Sequence, residues 1–67
     1  MANFAERLTE VLKEQNMSQT KLARILKVSP NTVSRWCSHN AKPDIDMLVL
    51  IAKALNESAD YLLGIAD

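Results

Sequence analysis

Two helix starts stand so close together in the segment from Met17 to Ser38 that only a tight turn can join the helices they open. Ser18 can cap the first, its hydroxyl accepting a hydrogen bond from a free amide of the opening turn. Met17 before the cap and Leu22 four positions after it have the spacing of a hydrophobic staple. The second start repeats the pattern. Ser29 caps, Pro30 takes the first helical position, where its missing N–H costs nothing, and Val28 staples to Val33. Lys27-Val28 is the whole connection, too short to let the two helices drift apart.

At 100° per residue the second helix, Pro30 to Cys37, divides into two faces. Val33, Trp36 and Cys37 fall on one side, and Asn31, Arg35 and Ser38 on the other. The apolar side is a core face, with Trp36 as packing rather than a stacking platform. The polar side carries the two side-chain types that bind bases through paired hydrogen bonds, asparagine to adenine and arginine to guanine. A helix lying in a DNA major groove needs such a division. Asn31 and Arg35 are therefore the first candidates for base contacts, with Ser29 and Thr32 beside them.

The net charge is zero, which taken alone argues against a nucleic-acid partner. Its distribution argues for one. Residues 18–43 hold Lys21, Arg24, Lys27, Arg35 and Lys42 and no acid, a local charge of +5. Residues 1–17 carry −1 and residues 44–67 carry −4. A basic middle centred on the two close helices is the electrostatic footprint of a DNA binder.

The marks Met17-Ser18-Gln19, Leu22-Ala23, Val28-Ser29, Val33-Ser34-Arg35-Trp36, Pro43, Leu48, Ile51-Ala52, Ala54-Leu55 and Leu62-Leu63-Gly64 run over nearly the whole chain. As a set they resemble the phage-repressor and Cro-type helix-turn-helix DNA-binding domains, the XRE-like transcriptional regulators. The resemblance implies an all-α, five-helix domain occupying residues 1–67, with the helix-turn-helix at its second and third helices. It implies a transcriptional regulator, a repressor by preference, that binds double-stranded DNA as a homodimer on a palindromic site. In such domains the residue at Gln19 contacts the DNA backbone, and a helix amino end favours a phosphate there. Ser38, His39, Asn40 and Lys42 lie just past the reading helix, within reach of phosphates. The position of Lys27 is usually glycine in the family, and the glycine usual in the loop after the reading helix is replaced by His39. The turn at Lys27 must then be strained or differently shaped, and the path of the 38–43 loop is left open.

The remaining helices read as scaffold. Asn3 caps the first, with Glu6 completing a capping box, and Phe4, Leu8, Val11 and Leu12 form its apolar stripe, which ends near Gln15-Asn16. The fourth helix, capped by Asp44 and running from Ile45 to Leu55, is apolar nearly all round and is expected to be the most buried. Asn56 can take the left-handed residue that ends it. The fifth, capped by Ser58 and stopped by Gly64, places Leu62 in the core. Ala59, Tyr61 and Leu63 are left for packing on the first helix or for a dimer contact. The expected single core is Leu8, Leu12, Leu22, Ala23, Val28, Val33, Trp36, Leu48, Ile51, Ala52, Leu55 and Leu62, with Leu26 at its edge.

Other classes fit less well. One Cys and one His fall short of a structural zinc site, so no metal or cofactor is expected. The lone Cys37, the absence of a signal-peptide pattern and the short apolar run Met47 to Ala52 fit a cytoplasmic protein off the membrane. No Ser/His/acid set or phosphate-cradling glycine loop is present, which weighs against an enzyme. At 67 residues no small-molecule pocket is expected. The alternative reading is an antitoxin-like protein-interaction module, favoured by the acidic last third.

Overall fold

The computed structural model describes residues 3–66. They form five helices: α1 (Phe4–Glu14), α2 (Gln19–Leu26), α3 (Pro30–Cys37), α4 (Ile45–Leu55) and α5 (Ala59–Leu63). Each begins on a side chain that accepts an amide hydrogen bond from its first turn. These caps are Asn3, Ser18, Ser29, Asp44 and Ser58, at 2.8–3.2 Å. The capping box of α1 is complete, with the Asn3 N–H donating to Glu6 Oε1 at 3.3 Å.

The five helices also end alike. A residue at positive φ closes each one: Asn16, Lys27, His39, Asn56 and Gly64. The next amide then donates back five residues: Met17 to Leu12, Val28 to Ala23, Asn40 to Arg35, Glu57 to Ala52 and Ile65 to Asp60, all at 2.9–3.0 Å. This closure satisfies carbonyls that the helix end would otherwise leave open. Only one of the five positions is glycine. Asparagine and histidine tolerate the left-handed region better than most residues. Lys27, at φ 60° and ψ 40°, has no such excuse and carries a cost of about 1–2 kcal/mol. The turn between α2 and α3 is thus strained, not differently shaped.

One core joins the helices. It takes Leu8, Val11 and Leu12 from α1, Leu22, Ala23 and Leu26 from α2, and Val33 and Trp36 from α3. Ile51, Leu55 and Leu62 complete it from α4 and α5. Helices α2 and α3 pack most extensively, and Ala23 is 1% exposed in that contact. The staple residues Met17 and Val28 pack half-buried against the core. Gln15 Nε2 donates to the Leu55 carbonyl at 2.6 Å and so ties the end of α1 to the end of α4.

Helix α4 departs from the sequence expectation. Only Ile51 and Leu55 are buried in it, whereas Ile45, Val49 and Leu50 are 80%, 44% and 48% exposed. Leu48 and Ala52, and Val28 outside the helix, are core neighbours rather than core members. The reason is supply: in so small a domain α2 and α5 are the main neighbours of α4, and they cover one side of it. Apolar character permits burial but does not provide a partner. Helix α1 contributes more buried residues than α4, with Ala5, Leu8, Val11 and Leu12 all enclosed.

Two stability outcomes follow from this packing. Ile51→Ala removes a fully enclosed side chain and should cost about 2–5 kcal/mol in chemical denaturation. Lys27→Gly should be more stable than Lys27→Ala by about 1 kcal/mol, because both shorten the side chain and only glycine relieves the positive φ.

Candidate nucleic-acid interface

Helix α3 is anchored from behind. Val33 and Trp36 are buried, and Cys37 is half-buried beside them. Burial pushes the Cys37 thiol above its ordinary pKa, an effect partly offset by a hydrogen bond with Thr9. The opposite face carries Asn31, Ser34, Arg35 and Ser38, all exposed. Eight residues give α3 a length of about 12 Å, comparable to the width of a B-DNA major groove.

The expected base-contact residues do not stand alike. Asn31 and Arg35 project together from the exposed face. Ser29 and Thr32 are engaged locally: Ser29 Oγ accepts from the Thr32 N–H at 3.2 Å, and the two hydroxyls lie 2.9 Å apart. Thr32 is half-buried. Ser34 was not among the sequence candidates. Its signal lay in the helical period, since it follows Asn31 by three residues and precedes Ser38 by four.

The loop after α3 is folded back on the helix that precedes it. The Asn40 and Ala41 amides both donate to the Arg35 carbonyl, at 2.9 and 3.2 Å. Ser38 Oγ donates to the same carbonyl at 3.3 Å, and Asn40 Nδ2 donates to Ser38 Oγ at 3.2 Å. Four of the expected backbone-contact residues, Ser38, His39, Asn40 and Lys42, therefore sit exposed on one short loop fixed to the end of α3. Asn3, at the start of α1, reaches His39 with Nδ2 3.5 Å from the ring Nδ1. Gln19 is exposed in the first turn of α2, where free amides and the helix dipole favour an anion. All five cations of the basic block are exposed.

The three residues expected at a dimer contact are divided. The ring of Tyr61 is covered by the Arg7 guanidinium of α1, 4.3 Å from its centroid. Ala59 borders a shallow depression with Val49 and Ala52. Leu63 borders a different cleft, with Phe4, Trp36 and Ala41. Among the described residues no group of three or more His, Cys, Asp or Glu is placed to hold a metal ion, and no helix is long and apolar enough to cross a membrane.

Comparison with known proteins agrees with this geometry. The sequence pattern of the helix-turn-helix family matches residues 8–62. The uncharacterized HTH-type transcriptional regulator YobD of Bacillus subtilis is 27% identical over 64 residues, which are 96% of this chain and 57% of that protein. The crystal structure of a transcriptional regulator from Listeria innocua superposes with a TM-score of 0.88 at 34% identity, over 97% of this chain and 61% of that one. The P22 c2 repressor, in a crystal structure with the synthetic operator 9T, superposes with a TM-score of 0.90 at 29% identity, over 98% of this chain and all of that one. The chain thus spans little more than half the length of the Bacillus relative. With its five-helix core, its α2–α3 turn and its exposed α3 face, the chain belongs to the helix-turn-helix family.

Proposed function

We propose that the protein binds a specific double-stranded DNA site, with α3 in the major groove, and represses transcription from it as a dimer. The observation that carries the reading is the division of α3. Val33 and Trp36 hold it to the core, which leaves Asn31 and Arg35 exposed together as donors and acceptors for base edges. Ser29 and Thr32, at the amino end of the same helix, are further base contacts; a rotated hydroxyl can serve a base while still accepting the capping amide. Gln19 on one side and Ser38, His39, Asn40 and Lys42 on the other hold the backbone and set the register.

A domain of this size buries about 600–1,000 Å² on DNA, and a two-fold pair doubles that. The surface beside α5 supports such a pair. Ala59 lies next to the exposed Val49, and Leu63, large, apolar and exposed, borders the separate cleft with Phe4. Tyr61 serves from behind, stiffened by Arg7. The P22 c2 structure contains an operator, which makes the same use of this fold reasonable here.

Selection of bound sequences from random duplex DNA tests the class, and a palindrome should emerge with half-sites about one helical turn apart. A single half-site should bind far more weakly than the palindrome; equal affinity per subunit would remove the dimer from the reading. On the selected site Arg35→Ala should cost about 1–3 kcal/mol and relax the preference at one base pair per half-site. Lys42→Ala should weaken all sequences alike and flatten the log–log salt dependence by about one unit. If Arg35→Ala weakens cognate and scrambled duplexes equally, Arg35 holds a phosphate and α3 does not read bases through it.

A further inference from the structure

A cleft of about 350 Å³ opens where the start of α1, the end of α3, the 38–42 loop and α5 meet. Its floor is apolar: Phe4, Trp36, Ala41 and Leu63. Its rim is polar and carries Asn3, His39 and Lys42, and none of the described residues lining it is acidic. The volume falls at the lower end of the range for small-molecule sites, about 300–1,000 Å³. The chemistry of the lining asks for an apolar body with a negative head.

The rim is built to present donors. Asn3 Nδ2 lies 3.5 Å from His39 Nδ1, and a ring that accepts there through Nδ1 carries its N–H on Nε2, free for an anion. Lys42 adds an ammonium. Glu6, in the first turn of α1, has its Oε1 occupied by the Asn3 N–H. The positive φ of His39 and the double use of the Arg35 carbonyl keep the rim attached to α3.

We propose that this cleft binds a small apolar carboxylate, and that an occupied cleft turns His39 and Lys42 from DNA phosphates to the ligand's head group. The first half stands on the cleft alone. The second half rests on the reading of the 38–42 loop as a DNA-backbone contact. Bound carboxylate then acts as an inducer through this domain itself: it leaves Asn31 and Arg35 in place and removes the backbone contacts that hold α3 in the groove.

Octanoate is a suitable probe, with octanol and octylammonium as controls, and Trp36, the chain's one tryptophan, is the reporter. Titrated into the free protein, octanoate should give a saturable change in Trp36 fluorescence, with about tenfold weaker response to the two controls, the loss expected from one charge-assisted hydrogen bond. Equal responses to all three, or none, overturn the site. Leu63→Glu places a carboxylate at a half-exposed floor position. It should abolish the response to octanoate and create one to octylammonium; unchanged preference overturns the location. In a separate titration of the selected duplex, saturating octanoate should lower affinity and flatten the salt slope by about one unit, the contribution of Lys42. An unchanged slope alongside an intact Trp36 response overturns the coupling. Failure to bind DNA at all appears in the octanoate-free titration and is distinct from failure of the cleft.

Discussion

The hydrogen bond from the Val28 amide to the Ala23 carbonyl closes the turn on which the placement of α3 depends. It exists because Lys27 adopts a left-handed conformation that a lysine does not favour. With it, α2 ends and the chain turns within two residues, so that Ser29 is already placed to cap α3. Ala23 of α2 is enclosed in the core, and α2 and α3 pack extensively on one another. Val33 and Trp36 then reach the core, and the angle of α3 is set. The strain at Lys27 is outweighed by the carbonyls it satisfies and by the apolar burial that follows from the turn.

Charge and apolar surface are distributed by a common logic. The chain is neutral in sum, yet the basic block surrounds α3 while the acids lie in α1 and in the last third. At short range a phosphate responds to the local charge, since separations beyond about 8–10 Å are screened at physiological salt. Apolar surface is likewise local in its meaning. Ile45, Val49 and Leu50 are exposed because one side of α4 lacks a neighbour, not because the residues are misplaced.

The loop after α3 is held by a few hydrogen bonds that converge on one carbonyl. One carbonyl, that of Arg35, accepts from the Asn40 amide, the Ala41 amide and the Ser38 hydroxyl. His39 at positive φ and its contact with Asn3 complete the arrangement. The same few residues form the rim of the cleft over Trp36. The rim therefore sits beside the end of the helix that carries Asn31 and Arg35.

The residues by themselves determined where each helix starts and stops and which side of it is apolar. Asn3, Ser18, Ser29, Asp44 and Ser58 cap as their positions indicate, because a cap is a hydrogen bond within one turn of chain. The split of α3 into Val33 and Trp36 against Asn31 and Arg35 was equally legible, since it follows from the helical period. The exposed position of Ser34 follows from the same period. Tertiary structure alone decided which side of α4 is covered, because that depends on where α2 and α5 lie. It also decided that Tyr61 turns under Arg7, that Leu63 faces Phe4 and Trp36 instead of Ala59's side, and that a cleft forms at all. These are meetings between residues far apart in the chain, and no local spacing records them. The choice at Lys27 lies between the two: the residue argued against a left-handed turn, and the packing of α2 on α3 required one.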